Sequence, residues 1–246
     1  MDRMLYIAMT GARQNMQALA VTANNLANIN TTGFRADFAA MRSMPLFGDG
    51  EASRVYAMAE RPGTDFSRGA MITTGRDLDI AVRDEGFFAV QGMDGKEAYT
   101  RAGDLRVTTL GQLVNGAGYP VIGENGPVSI PPFEKLEIGV DGTISIVAEG
   151  DEARSIREID RIKVVKPPLS ELYKGEDGLL RMKDGSEAQA DADVHILSGT
   201  LEGSNVNPAS ALVDMIDIAR QFELQTRMMK TAQENDERTV QILRLS

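Results

Sequence analysis

The sequence predicts an α+β protein in which long N- and C-terminal helices form a coiled-coil-like domain and the middle of the chain forms an antiparallel β-domain. Three observations carry this. Leu5, Met9, Ala12, Met16, Leu19, Ala23 and Leu26 recur in alternating steps of four and three. Leu212, Met215, Ala219, Phe222, Thr226, Met229, Gln233, Asp236, Val240 and Leu243 recur in steps of three and four. Between the ends, short β-rich runs are punctuated by Asn-Gly and Asp-Gly dipeptides. Such spacing gives each helix one narrow apolar seam, the width a coiled coil uses and a globular core usually exceeds.

Residues 4–28 read as the first helix. Asn24, Asn25, Asn28 and Asn30 crowd its end and Gly33 follows. Asparagine is a poor helix former that tolerates end positions, and glycine suits the left-handed residue that closes a helix. The amides therefore read first as a helix stop, and second as polar groups that fix register against neighbouring subunits. Residues 36–84 carry Pro45, Gly48, Gly50, Pro62, Gly63, Gly69 and Gly75 and too few apolar residues to close a core. They read as an extended connector.

Residues 85–204 contain Asp94-Gly95, Asn115-Gly116, Asn125-Gly126, Asp141-Gly142, Asp177-Gly178 and Asp184-Gly185. Among them lie runs such as Phe87-Phe88-Ala89-Val90, Tyr119-Pro120-Val121-Ile122, Ile144-Ser145-Ile146-Val147 and Ile162-Lys163-Val164-Val165. This is the strongest short-range signal for hairpins. Segment 151–160 has a brief pattern compatible with a short helix. The last helix opens on Asn207, a good N-cap, followed by Pro208 at the first helical position, where a missing N–H costs nothing. It runs through Leu243, with Gln233 and Asp236 as polar interruptions of the seam.

The formal charge of −10 is unevenly distributed. Residues 1–40 hold Arg3, Arg13 and Arg35 against Asp2 and Asp37, and the acids and bases of residues 207–246 also nearly cancel. The acidic excess therefore lies in the middle, leaving near-neutral ends free to pack on copies of themselves. No basic patch exists to neutralise phosphates, so nucleic acid is not expected as a partner. With no cysteine there is no disulfide framework and no thiolate chemistry. The opening MDRMLYIAMTGARQ has no uninterrupted apolar stretch of a cleaved signal, and no segment approaches the roughly 20 apolar residues of a membrane span. The expectation is a cytoplasmic protein or one exported without a cleaved signal.

Catalytic patterns fail on their details. Gly116-Ala117-Gly118-Tyr119-Pro120 lacks the third glycine of a dinucleotide fingerprint, and a proline stands where the helix should begin. Gly95-Lys96 lacks the upstream glycine and following hydroxyl of a phosphate loop. Asp77 and Asp79 open like a calcium loop, but Ala81 and Val82 occupy the next ligand and glycine positions. The single histidine lies in Asp191-Ala192-Asp193-Val194-His195, where alternate residues of a strand would place two carboxylates and an imidazole on one face. No fourth ligand is evident, and a solvated strand face is the expected reading. Neither an enzyme activity, a metal nor a cofactor is expected.

Four segments together resemble the bacterial flagellar basal-body rod family. They are Ala23-Asn24-Asn25-Leu26-Ala27-Asn28-Ile29-Asn30-Thr31-Thr32-Gly33-Phe34; Gly69 to Val82 with Gly86-Phe87-Phe88; Tyr99-Thr100-Arg101-Ala102-Gly103 through Asn115, Gly118-Tyr119-Pro120-Val121-Ile122-Gly123 and Asp141-Gly142; and Gly199-Thr200-Leu201-Glu202-Gly203-Ser204-Asn205-Val206-Asn207 with Met215-Ile216, Arg220 and Phe222-Glu223. They stand in the family's order across nearly the whole chain. Met1-Asp2-Arg3, Tyr6, Ala8-Met9 and Gly11-Ala12, with the chain length, are most similar to the proximal-rod branch, followed by the distal-rod and hook-type branches. Asn235-Asp236-Glu237-Arg238 departs from the Asp-Glu-Met run of many relatives.

The resemblance implies a structural subunit of a hollow drive shaft that crosses the periplasm and transmits torque to hook and filament. It implies export by the flagellar type III apparatus, and partnership with copies of itself and other rod proteins. Residues 1–35 with 205–246 would form the rod core, 36–84 the connector and 85–204 an outward β-domain. The expected subunit interface comprises Leu5, Met9, Ala12, Met16, Leu19 and Leu26, the amides of Asn24, Asn25 and Asn28, and Leu212, Met215, Ala219, Phe222, Met229, Val240 and Leu243. The competing class is a sugar- or peptide-binding β-domain on an oligomerisation stalk. The absence of tryptophan and the 5% aromatic content weigh against stacked-ring carbohydrate recognition.

Overall fold

Alanines supply the first helix and a side-chain cap starts the last. The computed structural model describes residues 3–39, 41–45, 55–59, 63–148, 150 and 156–245. Helix α1 spans Arg3–Ala27 and is rich in alanine, the best helix former. Gly11 interrupts it at a cost of about 1 kcal/mol relative to alanine. A Cβ at Gly11 would lie 2.9 Å from the Gln225 side chain, so the missing methyl is what lets the second helix approach. At the end of α1, the Asn28 side-chain amide donates to the Asn24 carbonyl at 2.9 Å. Helix α2 spans Pro208–Leu245. Asn207 Oδ1 accepts the N–H groups of Ala209 at 3.0 Å and Ser210 at 3.2 Å, a cap worth about 1 kcal/mol.

The chain divides into two compact units: residues 1–29, 36–65 and 206–246, and residues 30–35 and 66–205. In the first unit α1 packs against α2 and also touches strands Asp37–Phe38 and Val55–Ala59. Two short antiparallel pairs belong here, Asp37–Phe38 with Gly63–Thr64 and Met41–Pro45 with Val55–Ala59.

The helix seam differs from the expected one by a single step. On α1 the buried positions are Ala8, Ala12, Gln14, Asn15 and Ala18, with Leu19, Thr22 and Leu26 partly covered. On α2 Ala211, Met215, Ile218, Phe222, Gln225, Met229 and Ala232 are the covered set, in steps of four and three. Leu5, Ala12, Leu19 and Leu26, and Met215, Phe222 and Met229, belong to both versions. Met9, Met16 and Leu212 instead stand 52%, 60% and 48% exposed. The fully buried positions are alanines with Gln14 and Asn15, larger apolar residues such as Leu19, Met215, Phe222 and Met229 are partly covered, and Met9, Met16 and Leu212 are left outside.

The second unit is antiparallel throughout its named strands. A five-stranded sheet runs in the order Val164–Val165, Phe87–Gln91, Glu97–Thr100, Leu180–Met182, Leu172–Lys174. A three-stranded sheet places Thr143–Ala148 between Phe133–Ile138 and Ile156–Arg161. The two ends of the unit close on each other: Met71–Thr73 pairs with Thr200–Glu202, and Ile80–Val82 with Ile196–Ser198. Strand Phe87–Gln91 is buried on both faces. Phe88 and Val90 enter the main core with Ile80, Leu113, Ile144, Ile146 and Ile196, while Phe87 and Ala89 enter a smaller cluster with Tyr99, Leu172 and Leu180. Two-sided burial explains why this strand reads as an unbroken apolar run instead of alternating.

Apart from Asp184-Gly185, the turn dipeptides fall between segments that pair with each other. At Asp177-Gly178, Gly178 has φ 78 and links Leu172–Lys174 to Leu180–Met182. Two expectations need correction. Segment 151–160 is not helical where described: Ile156–Arg161 is a strand, held by the partner it finds in Thr143–Ala148. The stretch 36–84, expected as an extended connector, contributes six strands and divides between the two units near residue 65. Its strands are too short for periodicity to reveal and exist because tertiary partners pair with them.

Candidate functional site

Residues just past the asparagine cluster lead into a buried ionic centre of the second unit. Gly33 has φ 66 and its N–H donates to the Glu202 carbonyl at 2.7 Å. A Cβ at Gly33 would lie 2.2 Å from the Arg101 carbonyl carbon, so only glycine fits here. Two residues on, Arg35 Nη2 meets Glu202 Oε1 at 2.7 Å. Arg101 Nη1 donates to Glu202 Oε2 at 2.9 Å, and the Gly69 N–H donates to Oε1 at 3.0 Å. Glu202 is fully buried and both guanidiniums are 4% exposed.

Further contacts fix the centre. Arg101 donates to the carbonyls of Val82 at 3.3 Å and Asp84 at 2.8 Å, and its guanidinium lies 5.3 Å from the Phe87 ring centroid. Burial pulls the Arg101 guanidinium below its usual pKa, opposed by Glu202 beside it and reinforced by Arg35. Lys174 Nζ sits 4.1 Å from the Phe34 ring centroid and donates to the Arg35 carbonyl at 2.7 Å. The Asn205 N–H donates to the Phe34 carbonyl, and its amide donates to the Ser67 carbonyl at 3.1 Å.

Burying ions costs several kcal/mol each unless the partners and hydrogen bonds are well placed. Here one carboxylate receives two guanidiniums and a backbone N–H. The centre ties together the residues lying next to each passage of the chain into or out of this unit: 33–35, 67–69 and 202–205. The carboxylate, the two guanidiniums and the backbone donor come from the four segments that carry the family resemblance or directly flank them. Chemically it is a clamp, with no nucleophile or proton-transfer pair.

Sequence reasoning did not single out Glu202 or Arg35. Glu202 is one of 36 acidic residues, and only its position between glycines, Gly199 and Gly203, hinted at a crowded backbone. What the sequence could not show is that Arg35 and Arg101 converge on it.

The expected interface residues take different places. Ala12 is buried, and Leu5, Leu19, Leu26, Met215, Phe222 and Met229 are partly covered within the first unit. Met9, Met16, Leu212, Ala219 and Val240 face outward. Leu243 lies on α2, with its side chain outside the described residues. Asn24 is exposed, while the Asn25 amide is engaged within the chain: Nδ2 donates to the Asp37 carbonyl at 2.6 Å and Oδ1 accepts the Asp37 N–H at 2.9 Å. That two-bond clasp turns the chain out of α1.

Residues 191–195 form a turn, not a strand, so Asp191, Asp193 and His195 do not share a strand face. The Asp193 N–H caps back on Asp191 Oδ1 at 2.9 Å, and His195 Nδ1 contacts the Asp193 carbonyl at 2.8 Å. Among the described residues no group of three potential ligands converges on a metal position, and no helix is long and apolar enough to cross a membrane.

Comparison with known proteins agrees with this geometry. Residues 5–35 match the family described as flagella basal body rod protein, 81–146 the flagellar hook protein FlgE/F/G D1 domain, and 197–242 the flagellar basal body rod FlgEFG protein C-terminal family. The flagellar basal-body rod protein FlgF of Escherichia coli K12 is 42% identical over 252 aligned positions, covering 100% of both chains. FlgF of Caulobacter vibrioides is 34% identical, with 95% of each chain covered. The rod protein FlgG of Bacillus subtilis is 34% identical, covering 95% of this chain and 96% of its own. With two paired terminal helices, an antiparallel β-unit between them and full-length similarity to rod proteins, the chain belongs to the flagellar basal-body rod protein family.

Proposed function

We propose that this chain is a proximal-rod subunit that polymerises through α1 and α2, with copies of itself and with other rod proteins. Its place as a structural protein of the basal-body rod follows from the family. The proximal position is supported by the 42% full-length identity to the FlgF of Escherichia coli, against 34% to the FlgG of Bacillus subtilis.

The observation that carries the polymerisation reading is the outer face of the helices. The α1–α2 pair fully buries mainly alanines and leaves Ile7, Met9 and Met16 on α1, and Leu212, Val213, Ile216, Leu224 and Val240 on α2, in solvent. Apolar side chains on both helices need further helices to cover them. Contacts that repeat head to tail without closing a ring build a helical array, the geometry of a shaft. The coiled-coil-like character of the core is part of this proposal, supported by the step of four and three along α2. Export through the flagellar type III apparatus, torque transmission and the absence of catalytic activity complete the reading.

The test is deletion of the gene, with electron microscopy of isolated basal bodies and a swimming assay. The expected result is non-motile cells whose basal bodies stop before a complete rod and hook, restored by the wild-type gene. Intact rods and normal swimming would overturn the proposal.

A further inference from the structure

Strand Met71–Thr73 of the second unit is paired on one edge only. It lies against Thr200–Glu202, with Ile72 opposite Leu201, and among the described residues no third strand joins this sheet. The Gly203 N–H donates to the Ala70 carbonyl and the Thr74 N–H to the Gly199 carbonyl, both at 2.8 Å. Alternate residues of an antiparallel strand turn their backbone groups the same way. Ala70, Ile72 and Thr74 therefore face Thr200–Glu202, and the N–H and C=O groups of Met71 and Thr73 point away from it. Among the described residues nothing bonds to these outward groups.

The edge is also exposed and unguarded. All three residues are exposed, Met71 by 40% and Ile72 by 55%. Edge strands are usually kept from pairing by charged side chains or proline. The outer strands of the three-stranded sheet follow that rule, with Glu134, Lys135 and Glu137 on one and Arg157, Glu158 and Asp160 on the other. Gly69-Ala70-Met71-Ile72-Thr73-Thr74-Gly75 carries neither a charge nor a proline. The flanking cations are held within the unit: Arg68 donates to the Arg83 carbonyl at 3.1 Å, and Arg76 lies 3.7 Å from the Asp79 carboxylate. Gly75, with φ 75, turns the chain off the strand before Arg76.

The segment is complementary to itself. A two-fold axis through Ile72 places Met71 of one copy opposite Thr73 of the other. Their outward groups then exchange N–H···O=C bonds, and the two Ile72 side chains meet as the close, non-hydrogen-bonded pair. We propose that Met71–Thr73 is a docking edge for the same strand of a second copy, joining two two-stranded ribbons into one four-stranded antiparallel sheet. A two-fold contact closes on itself, whereas a shaft repeats head to tail. The contact therefore belongs to the free subunit, covers the edge before assembly, and is independent of the contacts proposed for the helices.

The experiment uses the full chain, which has no cysteine of its own. In Ile72→Cys the two-fold pair brings the two Cα atoms to about 4.5 Å, within disulfide reach. Met93→Cys, on the hairpin after Phe87–Gln91 and 87% exposed, reports chance collision. Under a mild oxidant such as diamide, Ile72→Cys is expected to give the disulfide-linked dimer at least about tenfold faster than Met93→Cys, because pairing raises the local thiol concentration. Adding Thr73→Pro removes an outward N–H and no bond to Thr200–Glu202. It is expected to bring the rate down to that of Met93→Cys, with the far-UV circular dichroism unchanged. In the wild-type chain, amide hydrogen exchange at Met71 and Thr73 is expected to slow as protein concentration rises. Equal cross-linking of the two cysteine variants, or exchange at Met71 and Thr73 that is independent of concentration, would overturn the proposal.

Discussion

Arg35 and Glu202, drawn from opposite ends of the sequence, form a buried ion pair of 2.7 Å, with both side chains almost wholly removed from solvent. The pair ties the segment that follows α1 to the strand that precedes α2. It therefore joins the two ends of the β-unit at the place where the chain enters and leaves it.

Replacing Glu202 by Gln keeps the shape but leaves two guanidiniums without a counter-charge. Losing one member of a buried pair typically costs about 3–5 kcal/mol, and this carboxylate serves two. Urea denaturation of Glu202→Gln should show a loss of that size. A loss below about 1 kcal/mol, the worth of an exposed pair, would contradict the burial described here.

Gly33→Ala and Gly75→Ala form an internal comparison. Both glycines have positive φ, 66 and 75, but a Cβ at Gly33 runs into the Arg101 backbone while one at Gly75 meets nothing within 4 Å. Gly75→Ala is expected to cost about 1 kcal/mol from the backbone alone. Gly33→Ala should cost at least about twice that, because the backbone must also shift. Equal midpoints for the two variants would show that the close approach at Gly33 is not maintained.

The helix faces separate folding from assembly. Met16→Asp and Leu212→Asp alter exposed positions, so the monomer should keep its helical circular dichroism and thermal midpoint within about 0.5 kcal/mol of wild type. Both should nevertheless fail to restore motility to the deletion strain. Leu19→Asp and Phe222→Asp, at partly covered positions, should block assembly and weaken the helix pair while leaving the β-unit folded. Normal swimming with Met16→Asp and Leu212→Asp would remove the outer faces from the interface.

Asp104 should make the β-unit sensitive to pH. Burial raises its pKa, and the Asp79 carboxylate adds to the rise, while the Gly116 N–H and Arg106 act against it. A raised folded pKa means that the contribution of Asp104 is most favourable below the unfolded value of about 3.9 and is lost as pH rises through the folded value. Asp104→Asn keeps an acceptor for Gly116 and removes the charge. It should be more stable than wild type at pH 7, with the difference shrinking as pH falls through the raised folded value and gone below about pH 4. A difference that stays constant with pH would show that the charge is not what destabilises the site.

Asn207→Ala removes the acceptor of two N–H groups at the start of α2. A loss of about 1 kcal/mol is expected, with fraying confined to the first turn by amide hydrogen exchange.

The sequence by itself determined the two terminal helices, the Asn207–Pro208 start, the hairpin turns and the family. These are local matters: a cap, a turn glycine and a periodicity act within a few residues of chain. Periodicity was less decisive about which residues face the partner helix. Residues 8 and 9, 15 and 16, or 211 and 212 are consecutive and lie about 100° apart around the helix, and large apolar residues at 9, 16 and 212 drew the expected seam toward themselves. The structure instead places Ala8, Asn15 and Ala211 in the seam, because small residues allow the two backbones to approach. Short strands such as Met41–Pro45 and Ile156–Arg161 exist only through their partners, so nothing local announced them. The convergence of Arg35, Gly69 and Arg101 on Glu202 was likewise decided by tertiary structure alone. An exposed and a buried glutamate are the same letter, and what separates them is the set of donors that the fold brings to the carboxylate.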